Sequence, residues 1–124
     1  MRRRNILVVE DNPMNRQLLR DVLEHRGHRV LAASTVNEAR TLWRKERIEV
    51  VLLDIHLTDS NGIDCLQEMR TQPALAKIPI IAVTAFAMPG DRERFLRAGF
   101  DGYLSKPIDT RRFSESVEAF LKEP

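Results

Sequence analysis

Four apolar runs rich in branched side chains punctuate the chain: Ile6-Leu7-Val8-Val9, Val30-Leu31-Ala32-Ala33, Val50-Val51-Leu52-Leu53 and Ile80-Ile81-Ala82-Val83. A weaker fifth follows at Gly102-Tyr103-Leu104. The runs have strand length, and the first, third and fourth lack polar alternation, as strands covered on both faces should. Between them lie segments with helical spacing of apolar positions. Met14, Leu18, Val22 and Leu23 line the first, closed by Gly27, and Val36, Ala39 and Trp43 line the second, capped by Ser34 or Thr35. Ile63, Leu66 and Met69 line the third, with Cys65 beside the stripe. Phe95 and Leu96 lie in the fourth, closed by Gly99. Phe113, Val117, Phe120 and Leu121 line the last, after Asp109 or Thr110 as cap.

Strands alternating with helices at this interval predict βαβ units and a parallel sheet, an α/β doubly wound fold. In that architecture chemistry gathers beyond the carboxyl ends of the central strands. A length of 124 residues predicts one domain spanning 1–124, with 1–4 as a basic, frayed end. Hydrophobic residues at 43% and charged ones at 31% are enough for a core without staples. The lone Cys65 forbids an intramolecular disulfide and fits a reducing, cytoplasmic setting. No apolar run approaches the ~20 residues of a membrane span. The run after Arg2-Arg3-Arg4 is too short for a secretion signal.

Twenty Lys and Arg against eighteen Asp and Glu leave +2, and the body without Arg2, Arg3 and Arg4 is nearly neutral. Asp91-Arg92-Glu93-Arg94 reads as a solvated helix face. No helix-turn-helix, zinc-finger or aromatic-basic pattern is present, so nucleic acid is not expected as a partner.

The residues after the strands carry the chemistry. Glu10 and Asp11 follow the first run, Asp54 ends the third, Thr84 ends the fourth, and Ser105-Lys106-Pro107 follow the fifth. Crowded carboxylates repel unless a positive charge sits among them. Carboxylate, carbonyl and water oxygens are what Mg²⁺ takes. Lys106 and the Thr84 hydroxyl suit phosphoryl oxygens, and Asp54 suits a carboxylate nucleophile that forms an aspartyl phosphate.

Glu10-Asp11, Asp54, Thr84 and Lys106-Pro107, in this order and each at a strand end, resemble the landmarks of the receiver domains of two-component response regulators. Glu10-Asp11-Asn12-Pro13-Met14-Asn15 and Val83-Thr84-Ala85-Phe86-Ala87-Met88 further resemble single-domain regulators of the DivK type and hybrid-kinase receivers. The resemblance implies a five-stranded sheet of order 2-1-3-4-5 with helices on both faces. It implies Mg²⁺ bound by Asp11 and Asp54, by Glu10 through water, and by the His56 backbone carbonyl. Asp54 would accept a phosphoryl group from a phosphohistidine of a histidine kinase or phosphotransferase, with Lys106 pairing to it. Thr84 and Tyr103 would form the switch, and a downstream protein would dock on the face formed by 85–99, 102–104 and 111–121. His56, Ala85 and Phe86 would tune the pocket mouth. Such a protein is a phosphoacceptor switch rather than a multiple-turnover enzyme.

The sequence departs from the family in Ile55-His56-Leu57-Thr58, which lacks a common proline. Taken singly, Glu10 and Asp11 could be helix-start charges, Thr84 a cap, Lys106 a solvated lysine, Tyr103 packing, and His56 and Phe86 exposed loop residues. A haloacid-dehalogenase phosphatase would need an acid where His56 stands. A flavin-binding relative would need a phosphate loop where Glu10 and Asp11 stand. The remaining alternative is an interaction adaptor with weak or no phosphorylation. His25 is expected as a helix-dipole partner, Trp43 as core, and His28 without a visible role.

Overall fold

In the computed structural model, which describes residues 3–57, 60–85, 88–106 and 110–121, the apolar runs become parallel strands and the periodic segments become helices. The strands are β1 (Asn5–Val9), β2 (Arg29–Ala33), β3 (Val50–Asp54), β4 (Ile80–Thr84) and β5 (Gly102–Ser105). The helices are α1 (Pro13–His25), α2 (Val36–Lys45), α3 (Gly62–Arg70), α4 (Asp91–Ala98) and α5 (Thr110–Leu121). The sheet order is β2-β1-β3-β4-β5, as expected. Thr58, Phe86, Pro107 and Asp109, for which roles were expected, lie outside the described residues, as does the Leu121 side chain.

The two-residue alternation of strands sorts the core into two layers. Leu7, Val9, Leu31, Val51, Leu53 and Ala82 meet Val36, Ala39, Trp43, Cys65, Leu66, Met69 and Phe95 of α2, α3 and α4. Ile6, Val8, Val30, Val50, Leu52, Ile81 and Val83 meet Leu19 and Leu23 of α1 and Phe113 and Val117 of α5. Each fully buried aliphatic or aromatic side chain contributes about 1.5–3 kcal/mol. That is why the central strands β3 and β4 tolerate no polar residue before their last positions.

Register carries the chemistry to one edge. Val9 pairs with Leu53, Asp54 with Val83, and Thr84 with Ser105. Glu10, Asp54, Thr84 and Lys106 therefore fall at neighbouring carboxyl ends. The first crossover runs outward to β2 and the next returns to β3, so the gap between β1 and β3 is the switch point of the sheet.

Helix ends follow their local chemistry. Asn12 caps α1, accepting the Asn15 N–H at 3.0 Å, and Pro13 occupies the first turn. The left-handed Gly27 closes α1, with its N–H on the Glu24 carbonyl and the His28 N–H on that of Leu23. Thr35 caps α2 and Asn61 caps α3. Gly62 begins α3 against the chain leaving β3: a Cβ there would stand 2.8 Å from Ile55 Cα and 3.0 Å from the Asp54 carbonyl oxygen.

Several local expectations are corrected. Met14 is 82% exposed, because the first turn of α1 lies past the strand ends with no sheet beneath it; Leu19 and Leu23, one turn apart, carry the burial instead. Leu96 is also exposed, leaving Phe95 as the anchor of α4. Asp91 is buried rather than solvated, accepting the Met88 N–H at 2.8 Å as it starts the helix. Arg4 is not part of a frayed end: its guanidinium meets Glu49 at 3.2 Å and its N–H donates to His28 Nδ1. His28, expected to be idle, is buried at that junction. Among the described residues no helix is long and apolar enough to cross a membrane.

Candidate functional site

Glu10 extends β1 by one residue, its N–H donating to the Ala33 carbonyl of β2 at 2.9 Å. Its side chain is 1% exposed, an unusual position for a carboxylate. Oε2 accepts the Asn12 N–H at 3.2 Å, and Oε1 lies 2.5 Å from Lys106 Nζ. Asp54, also buried, accepts the His56 N–H on Oδ1 at 3.0 Å and faces Lys106 Nζ with Oδ2 at 3.3 Å. Asp11 is partly exposed at the rim. One oxygen from each of Glu10, Asp11 and Asp54 lies within 4.8 Å of the others.

Lys106 reaches this cluster because its backbone N–H is tied to the Thr84 carbonyl at 2.8 Å, continuing the β4–β5 pairing. Thr84 itself is fully buried, and Ala85 and His56 are exposed beside the site. Tyr103 lies one step away. Its ring stacks on Phe95 at a centroid distance of 5.6 Å, and its hydroxyl is buried with no hydrogen-bond partner among the described residues.

Electrostatics follow from burial and crowding. Burial, then the proximity of Asp54, pushes the Glu10 carboxyl up to about 7, against the opposing pull of Lys106. Burial would lower the Lys106 ammonium, but its contacts with Glu10 and Asp54 outweigh that and raise it. Burial and the charge of Asp91 raise the Tyr103 phenol. Lys106 thus contacts two of the three clustered carboxylates, Glu10 and Asp54, with Asp11 beside them. The oxygen-only donors of the site could hold a small hard cation.

All the expected acidic residues and Lys106 come together, with Thr84 at the adjoining strand end. What sequence reasoning missed is the frame around them. Asn12-Pro13 carried a readable helix-start signal. The pairing of Lys106 with Glu10 and the contacts of Arg16, whose Nη1 donates to the carbonyls of Glu10 at 2.9 Å and Asp11 at 3.3 Å, left no local trace.

Fold and site define a doubly wound α/β protein whose carboxyl edge gathers acids, a hydroxyl and a lysine. The family model for the response regulator receiver domain matches residues 6–118, and the chain belongs to that family, whose class of function is two-component signalling. It is similar to the polar-differentiation response regulator DivK of Brucella anthropi, 38% identical over 118 residues that cover 95% of this chain and 96% of that protein. DivK of Brucella abortus is 37% identical over the same share. Among solved structures it is similar to the receiver domain of sensor histidine kinase PA1611 from Pseudomonas aeruginosa, with TM-score 0.86, 32% identity, and coverage of 97% of this chain and 98% of that one. That structure has a magnesium ion coordinated in its active site cleft. The chemotaxis protein CheY4 of Vibrio cholerae, at 23% identity over 96% of this chain and 99% of that one, shares the fold with TM-score 0.89.

Proposed function

We propose that this chain is a phosphorylation-activated switch whose acceptor is Asp54. The observation that carries the reading is the Lys106 ammonium held between Glu10 and Asp54, beside three carboxylate oxygens within 4.8 Å of one another. Such a site can accept a phosphoryl group, because positioning and charge neutralisation supply most of that chemistry.

An Asp54 carboxylate oxygen attacks the phosphorus of a phosphohistidine on a histidine kinase or phosphotransferase. The O–P bond forms as the N–P bond breaks, and the imidazole leaves with the electron pair and takes up a proton. Lys106 transfers its charge from the carboxylates to a phosphoryl oxygen, and the Thr84 hydroxyl donates to another. Mg²⁺ fits the donor set, because carboxylate oxygens of three residues within 4.8 Å of one another are hard ligands. Asp11, Asp54, the His56 carbonyl and, through water, Glu10 would hold it, and it would supply positive charge to the phosphoryl oxygens. His56, Ala85 and Phe86 would govern the approach of water to the acyl phosphate.

Output runs through Thr84 and Tyr103 to the face of α4, β5 and α5. The stacking of Tyr103 on Phe95 of α4 and the exposed Leu96 on the same helix support that route. A local change in charge would then alter the docking of a downstream protein. In this reading residues 1–124 act as one cytoplasmic receiver.

The test is intact mass after incubation with acetyl phosphate, with and without Mg²⁺, on the wild type and Asp54→Asn. A Mg²⁺-dependent gain of about 80 Da, absent in the variant, is expected for an aspartyl phosphate. Labelling of Asp54→Asn at the normal rate would overturn the assignment. No labelling from either acetyl phosphate or a phosphohistidine donor would favour the adaptor.

A further inference from the structure

Consecutive side chains of an extended strand point to opposite faces, and consecutive carbonyls point to opposite sides within the sheet plane. Glu10 and Asp11 break that rule, since an oxygen of each converges with Asp54. The chain must therefore turn between them, and something must hold the turn against the repulsion of the acids it brings together. Both backbone carbonyls meet a single guanidinium nitrogen: Arg16 Nη1 donates to the Glu10 oxygen at 2.9 Å and to the Asp11 oxygen at 3.3 Å. Arg16 is anchored in turn, its own N–H bonded to the Asn12 carbonyl in the opening of α1.

We infer that Arg16 is a positioning residue for the cation site, holding the β1–α1 turn so that the carboxyl groups of Glu10 and Asp11 face the same ion. It touches neither ion nor phosphoryl group and acts through the peptide planes of the two acids. Charge-assisted donation is stronger than neutral hydrogen bonding, so the turn is held when one cation must order several like charges. Asn12 completes the frame from the other side through its N–H on Glu10 Oε2.

The inference rests on the proposed metal site, and its test separates the two. Mg²⁺ is titrated calorimetrically into metal-free wild type, Arg16→Met and Arg16→Lys, and thermal midpoints are recorded in EDTA. Groups that orient metal ligands typically govern tenfold or more in affinity, so Arg16→Met should weaken Mg²⁺ binding by about tenfold or more. Its midpoint in EDTA should stay near the wild-type value, because with no cation present the same change also releases crowded acids. Arg16→Lys, whose ammonium can still reach the two carbonyls, should recover most of the affinity. Wild-type affinity in Arg16→Met, or loss of affinity in both variants in proportion to loss of midpoint, would overturn the role of Arg16 alone. No Mg²⁺ binding by the wild type would overturn the metal site and this inference with it.

Discussion

The ring of Tyr103 lies nearly flat on that of Phe95, 25° from parallel, so β5 and α4 share one aromatic contact beside the site. Phe95 is fully buried, whereas Tyr103 is only partly so. The stack therefore joins the core to the surface proposed for output. Tyr103→Ala should reduce phosphorylation-dependent partner binding far more than the rate of phosphorylation, and should cost about 1–3 kcal/mol of stability. Tyr103→Phe keeps the stack and removes a buried hydroxyl without a partner among the described residues, so its stability should hold or rise by up to about 1 kcal/mol. Urea melts together with labelling and binding rates check this; equal losses of binding and labelling would make Tyr103 structural only.

Asp54→Asn should stabilise the metal-free protein. Glu10 and Asp11, each within 4.8 Å of Asp54, together repel it by roughly 7 kcal/mol at an effective dielectric of about 20. Lys106 at 3.3 Å offsets roughly 5 kcal/mol of this, so a gain of about 1–2 kcal/mol is expected where all three acids are ionised. The pH dependence gives the sign a second check. A carboxyl raised on folding from 4.5 to about 7 contributes stability that is present below 4.5 and lost as pH rises through 7. Removing the Asp54 charge lowers the Glu10 value and flattens that loss. Urea midpoints in EDTA across this range measure both effects, and a less stable Asp54→Asn at pH 8 would contradict the repulsion argument.

His28 should act with the opposite sign. Burial first, with Arg4 and Arg26 nearby, holds its imidazole below 6.5, against the attraction of Glu118 and Glu49. The unfolded chain then takes up a proton that the folded one resists, so this residue removes stability as pH falls below 6.5. His28→Gln should lose less midpoint than the wild type between about pH 8 and about pH 5.5. Trp43 is buried and its fluorescence reports the melts. A parallel fall in the two proteins would remove His28 from the account.

Gly62→Ala should injure fold and site together. The added methyl meets backbone on both sides, Ile55 Cα at 2.8 Å and the Asp54 carbonyl oxygen at 3.0 Å, so the chain leaving β3 must move. A loss of about 2–3 kcal/mol is expected, with slower Asp54 labelling at saturating Mg²⁺. Chemical denaturation and mass labelling test the pair; normal labelling in a destabilised variant would show that the shift spares Asp54.

The strands, the helices and most of the core were legible in the sequence, because each element buries one stripe or both faces and the spacing of Leu7, Val9, Val36, Ala39 and Trp43 records that locally. Family landmarks carried the strand order and marked Glu10, Asp11, Asp54, Thr84 and Lys106. Met14 was misread because periodicity continues into a first turn that has no sheet beneath it, and Leu96 because an apolar residue beside Phe95 need not share its face. Arg4 and His28 were misread because nothing near them in the chain announces Glu49 as a neighbour. Only the tertiary structure decided the pairing of Lys106 with Glu10, the upward shift of the Glu10 carboxyl and the grip of Arg16 on two consecutive carbonyls. Lys106 and Asp54 stand 52 positions apart. Their interaction depends on strand register and on the loss of solvent around them, and both are sums over the whole packed domain that no local pattern encodes.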